Sequence, residues 1–152
     1  MPKAPLFTIG YEQATSSAVL AVLQRAHVDL LVDVRAIAAS RRPGFSKRQL
    51  AAGLDEVNIR YLHLRGLGTP KEGRVAARSG KVDELFRIYE RHLAGHNATE
   101  ELDLLTSLVK SGQRICLLCY ERDPHHCHRR RVAELVCERV GAGSEHLFPD
   151  QP

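Results

Sequence analysis

Residues 114–121 read RICLLCYE, an apolar run that turns polar at its last residue. Ile115 to Tyr120 is a clean apolar stretch, and no such stretch in the chain is longer. It has the length of a buried strand and falls far short of the ~20 residues a membrane span needs. Upstream, Leu102, Leu105, Leu108 and Val109 recur at helical spacing, with Asn97 and Glu100 placed as a capping box and Gly112 as the stop. Downstream, Asp123-Pro124 reads as a helix start, with Asp as cap and Pro at the first position, and Val132, Leu135, Val136 and Val140 form the buried face. A buried strand between two amphipathic helices is the repeating unit of an α/β protein.

The same alternation extends towards the N-terminus. Residues 6–11 (LFTIGY) form a short apolar run ending at a Gly, and Thr15 or Ser16 then caps a helix carrying Val19, Leu20, Val22, Leu23 and Ala26. Residues 29–35 (DLLVDVR) read as a second strand; Ser46 and Gln49 fit a capping box for a helix with Leu50, Leu54 and Val57 inward. Residues 59–65 (IRYLHLR) read as a third strand, and residues 66–80 as a loop. Val82, Leu85, Phe86, Tyr89 and Leu93 share a helical stripe that Gly95 ends, and residues 146–148 read as a last short strand. The expectation is a single three-layer α/β domain over residues 1–152, with a mainly parallel sheet of four to five strands flanked by helices. In such a sheet right-handed crossovers gather all strand C-termini on one edge, where ligands bind.

At 152 residues the chain has the size of one domain, and its 43% hydrophobic and 26% charged residues are ordinary for a globular protein. The opening MPKAPLFTIGYEQ lacks an apolar core followed by a cleavage site, so no secretory signal, no membrane insertion and a cytoplasmic location are expected. The net charge of +4 decides little, but its distribution is uneven. Residues 35–48, 65–81 and 122–131 hold 14 of the 22 basic residues and 2 of the 18 acidic ones. Each stretch begins at or just past the end of an expected strand, so the fold collects them on one rim. The partner this implies is nucleic acid or a phosphate-bearing small molecule; chance clustering of solvated charges is the alternative.

All four cysteines lie between positions 116 and 137. Cys116 and Cys119 have CxxC spacing, but three residues apart on a strand they point to opposite faces, so Cys116 and Cys137 read as core residues. Structural disulfides are not expected in this setting. Cys127, placed in the first turn of the helix after the fourth strand with Arg129 to Arg131 nearby, reads as an activated thiolate, as a metal ligand with Cys119 and His128, or as packing. A four-ligand site would need a further group such as His125 or His63, and no metal or other cofactor is assigned. Glu121 at the strand end is a base or a rim salt bridge; Asp33 within LLVDVR is catalytic or the partner of an Arg. In SRRPGFSKRQ, Arg41 and Lys47 suit phosphates, and Phe45 either stacks on a base or staples the helix that follows.

Thr8-Ile9-Gly10-Tyr11, Asp33-Val34-Arg35, Ser40-Arg41…Pro43…Phe45, Tyr61…His63-Leu64…Leu67-Gly68 and Cys119…Glu121…Pro124…Cys127-His128-Arg129 together resemble the domain-of-unknown-function family 488. Members often carry a second Gly after Leu-Gly, where this chain has Thr69. The resemblance implies a compact α/β domain of bacteria and archaea and brings no activity with it. No P-loop or dinucleotide fingerprint is present, since Gly10-Tyr11-Glu12 lacks the glycines.

The leading expectation is an enzyme, of hydrolase type, directed at nucleic acid or a nucleotide, with base excision or repair as its subclass. Glu121, Asp33, His63 and Cys127 are the catalytic candidates. Tyr11, Arg35, Arg41, Phe45, Lys47, Arg65, Cys119, His128 and Arg129 are the substrate-binding candidates. The rivals are a thiol-dependent enzyme acting on a small anion through Cys127 or Cys119, and a non-catalytic nucleic-acid-binding module. Oligomeric state is not read from the sequence.

Overall fold

Strand and helix alternate along the chain, except that three successive helices join the third strand to the fourth. The computed structural model describes residues 4–152; what the domain expectation says of residues 1–3 lies outside them. Strands β1 (Leu6–Gly10), β2 (Leu30–Asp33), β3 (Arg60–His63), β4 (Ile115–Cys119) and β5 (Ser144–Leu147) form one sheet in the order β3-β2-β4-β1-β5. Every pairing among them is parallel. Helices α1 (Ser16–Arg25), α2 (Lys47–Glu56), α3 (Lys71–Arg78), α4 (Val82–Leu93), α5 (His96–Lys110) and α6 (Arg129–Val140) connect them.

Alternate strand residues feed two separate cores, which makes the architecture three-layered. Phe7, Ile9, Leu31, Cys116 and Leu118 pack with Val19, Leu23, Leu50 and Leu54 of α1 and α2. Leu6, Leu30, Val32, Leu117 and Cys119 pack with Tyr89, Leu102, Leu105, Val132 and Val136 of α4, α5 and α6. Cys116 and Cys119 thus fall in different cores, as their spacing on a strand requires. This is a single α/β domain with a parallel sheet covered on both faces. No helix among the described residues is long and apolar enough to cross a membrane.

Four local expectations are corrected. Residues 66–80 are not a loop: a 3-10 turn (Arg65–Leu67) and α3 occupy them. The buried face of α3 consists of Gly73 and Ala76, so it shows no stripe of large apolar residues. Asn97 lies inside α5, whose N-cap is Gly95, and Gly112 at φ +92° follows its end. Ser46 is the N-cap of α2 without capping it, because its hydroxyl is tied to the backbone of Ser40. Finally, Asp123-Pro124 opens only a 3-10 turn (Pro124–His126); Cys127 is extended, and α6 begins at Arg129. Cys127 therefore precedes the helix rather than sitting in its first turn.

Candidate functional site

The chain leaves β1 for α1 on one face of the sheet and leaves β4 for α6 on the other, and β1 and β4 are neighbours. Their C-termini therefore form a topological switch point, where open α/β sheets present a crevice. Backbone bonds from Tyr11 N to Cys119 O (3.3 Å) and from Glu12 N to Tyr120 O (2.8 Å) zip the two departing segments together. Gly10 is required here, because a Cβ would stand 1.8 Å from the carbonyl oxygen of Glu121.

A cleft of about 1010 Å³ opens at this point. The segments after four strands line it: Tyr11 and Glu12; Arg35, Ile37 and Arg41; Thr69, Arg74 and Arg78; Tyr120, Glu121, Cys127 and His128. Two of the three basic stretches thus bring arginines to one cavity, while the third, residues 122–131, reaches it with His126, Cys127 and His128 and none of its arginines. Arg41, Arg74 and Arg78 form no ion pair among the described residues. The hydroxyl of Thr69 is buried against the cleft with no hydrogen-bond partner. Ile37 and Tyr120 are 59% and 45% exposed, so the cleft also offers apolar surface.

Beneath the rim, Asp33 and Arg35 form a buried bidentate pair. Arg35 Nε donates to Oδ1 at 2.8 Å and Nη2 to Oδ2 at 2.7 Å. The Arg35 backbone N–H and the Tyr61 hydroxyl, at 2.6 Å, complete the shell of Asp33. Arg35 Nη1 donates to Tyr11 Oη and to Phe45 O. Burial alone would lower the Arg35 pKa, but the hydrogen bonds and charge of Asp33 outweigh it and raise the value. The same burial, with the Asp33 bond, raises that of Tyr61. Every oxygen of Asp33 is engaged, so its chemistry is that of a fixed counter-ion.

Glu121 is half-buried at the cleft, and desolvation raises its pKa above the ordinary carboxylate value. Such a carboxyl is suited to exchanging a proton. Its Oε2 lies 3.7 Å from Cys119 Sγ. Contrary to the expectation of free thiols, Cys119 and Cys127 are paired as a disulfide: the extended backbone of Cys127 turns its side chain back to the end of β4. His128 Nε2 lies 2.6 Å from Val34 O, so it donates its proton there, and Nδ1 faces Cys127 Sγ at 3.7 Å. Cys119, Cys127 and His128 have their ligand atoms within 4.8 Å of one another and are the group among the described residues that could, with the disulfide reduced, hold a metal ion. Arg129 is fully buried below them, donating to Cys119 Sγ at 3.1 Å and to the carbonyl oxygens of Glu121 and Arg122. Desolvation pulls its pKa down to about 10, which leaves it charged.

Burial lowers the His128 pKa to about 4, so it is neutral in the folded protein at pH 7. Between about pH 6.5 and 4 the unfolded chain therefore binds a proton that the folded chain does not. Stability falls as pH drops through that window, by about 3 kcal/mol in all for this residue. Urea titrations of the metal-free protein and of His128→Asn at pH 7 and pH 4.5 measure it. The gap between the two narrows at the lower pH; parallel pH dependences contradict it. Glu121, with a raised pKa, acts in the opposite sense in both proteins and cancels.

The model of the family described as "Domain of unknown function DUF488" matches residues 15–136. The chain belongs to this family. The match covers α1 through most of α6, and with it every cleft segment except that after β1. No curated protein and no solved structure matches this DUF488 chain.

Of the residues singled out from the sequence of this DUF488 domain, Tyr11, Arg35, Arg41, Cys119, Glu121, Cys127 and His128 line the cleft. Phe45 does not: it is buried in the core and stacks on Tyr11 with ring centroids 4.3 Å apart, so it is not exposed to a base. Lys47 and Arg65 are exposed outside the cleft. His63 lies 2.7 Å from Arg35 O, and Arg129 acts from below. Thr69, noted only as a departure from the family pattern, Arg74 and Arg78, counted only within the basic stretch 65–81, and Tyr120 were not among the site residues named from the sequence. Read as loop, residues 66–80 gave no sign of which of their cations face the cleft, and Tyr120 was masked by its place at the end of an apolar run.

Proposed function

We propose that this DUF488 protein is an enzyme of hydrolase type that acts on nucleotides or nucleic acid. The observation that carries it is the meeting of Arg41, Arg74 and Arg78, from two basic segments, with Glu121 in one cleft at the switch point of the sheet. Arg41, Arg74 and Arg78 hold phosphate oxygens, Thr69 supplies a hydrogen bond, and Glu121 exchanges a proton with the reacting group. Exposed Tyr120 and Ile37 beside these cations suit a ligand with a flat apolar part as well as charge, and a base meets that need better than a small inorganic anion. Phe45, in the core, is not available as a wedge for opening a duplex, and the reading takes a mononucleotide or an already unstacked strand as substrate.

Fluorescence anisotropy of a labelled single-stranded oligonucleotide across a salt series tests this reading. Log affinity falls linearly with log salt, and the double variant Arg74→Ala/Arg78→Ala binds more weakly. Its slope is shallower by about 1.4, since each phosphate contact on a single strand contributes about 0.7. No binding at low salt, or a slope the double variant leaves unchanged, overturns it.

A further inference from the structure

We propose that Cys119, Cys127 and His128, in the reduced protein, form a binding site for one zinc ion with a remaining coordination position open to the cleft beside Glu121. Four observations converge on it. The three ligand atoms lie within 4.8 Å of one another, and all three residues are buried. The Cα atoms of Cys119 and Cys127 are 7.4 Å apart, wider than the ~4.4–6.8 Å usual between bonded cysteines, whereas two thiolates on one zinc ion stand roughly 3.7 Å apart at their sulfurs. His128 is oriented as metal-bound imidazoles are: Nε2–H is spent on the Val34 carbonyl, which leaves the Nδ1 lone pair aimed at the sulfurs.

The fourth observation is charge. Arg129 is a fully buried guanidinium with no carboxylate within ion-pair distance among the described residues, and its Nε has no hydrogen-bond partner. One of its donors faces Cys119 Sγ at 3.1 Å. With a neutral disulfide that cation has only the more distant charges of Glu121 and Asp123; a Cys119 thiolate supplies an anion in direct contact.

Two thiolates and one imidazole form a donor set that favours zinc. A thiol or phosphine reductant adds two electrons and two protons to the disulfide, breaking the S–S bond and giving two thiols. Coordination of Zn²⁺ then releases both protons and forms two Zn–S bonds and one Zn–N bond. Three protein ligands with an open position are the arrangement of zinc sites that bind water or substrate. Glu121, with Oε2 3.7 Å from Cys119 Sγ, stands beside that position as a base for a bound water. The site rests on these ligands and not on the nucleotide reading.

The test uses full-length protein kept anaerobic with a phosphine reductant, stripped with a chelator and titrated with Co²⁺ and then Zn²⁺. One ion binds per chain, with the sulfur-to-cobalt charge-transfer band and strong visible bands of tetrahedral thiolate coordination, and zinc bleaches them. Cys127→Ser and His128→Asn weaken binding at least 100-fold, circular dichroism showing that each is folded. Oxidation of the wild-type protein back to the disulfide releases the ion, a measurement that needs no variant. Glu121→Gln binds zinc within about threefold of wild type. Absence of a thiolate–cobalt band in the reduced wild-type protein overturns the site, as does binding that both variants and oxidation leave unchanged. A tenfold or greater loss in Glu121→Gln makes that carboxylate a ligand and overturns the open position.

Discussion

Asp33→Asn unfolds at about 2 M less urea than the wild-type protein, a loss of roughly 3–5 kcal/mol at the slopes usual for a domain of this size. The Asp33 carboxylate is inaccessible to solvent and receives four hydrogen bonds, three from Arg35 and one from Tyr61. The amide keeps the volume but removes the charge and turns an acceptor into a donor facing the guanidinium. Arg35, only 6% exposed, then carries an uncompensated charge within the domain. Breaking one half of a buried pair costs more than the pair contributes, because the remaining charge is stranded. Against a total stability of about 5–15 kcal/mol the loss is a large fraction. Tyr61→Phe, which deletes one donor and strands no charge, costs about 1 kcal/mol. A loss below 1 kcal/mol in Asp33→Asn contradicts the role of the pair as the rim's fixed support.

Glu121→Gln lowers turnover by about 10²–10⁴-fold and leaves binding within a few-fold. The isosteric amide keeps the shape of the cleft and cannot exchange a proton. The measurement is product release from a panel of mononucleotides and single-stranded oligonucleotides bearing modified bases, with anisotropy as the binding control. Because burial raises the Glu121 pKa, the acid limb of the wild-type pH–rate profile lies above the range of an ordinary carboxylate and disappears in the variant. Unchanged turnover contradicts the assignment of Glu121. Loss of binding together with turnover places Glu121 in substrate binding instead.

The inner strands β1, β2 and β4 were legible in the sequence because each is a short apolar run next to a helical stripe, residues 114–121 most clearly. The edge strand β5 (SEHL) has no such run and was expected at 146–148. Large residues make periodicity visible: Leu102, Leu105 and Leu108 announce α5, whereas the buried Gly73 and Ala76 of α3 leave no trace. The rim was legible for a topological reason. Parallel strands deliver their following loops to one edge, so basic stretches that begin at strand ends meet there. That Phe45 is buried while Tyr120 lines the cleft was not legible. Which of two aromatics enters the core depends on tertiary packing, here the stack of Phe45 on Tyr11 and its carbonyl bond to Arg35. The conformation of Cys127 was hidden for a related reason. Asp123-Pro124 has the residues of a helix start, yet the chain extends at Cys127 to return its sulfur to β4 before α6 begins.

The most direct measurement is a titration of the ¹⁵N-labelled protein with a short single-stranded oligonucleotide, followed in ¹H–¹⁵N spectra. Shifts concentrated at residues 10–12, 35–41, 69–78 and 120–128, the segments that surround the cleft, are the expected result. Shifts gathered at the opposite edge of the sheet, around Gln113 and Gly143, or none at low salt, contradict a phosphate-directed site at the switch point.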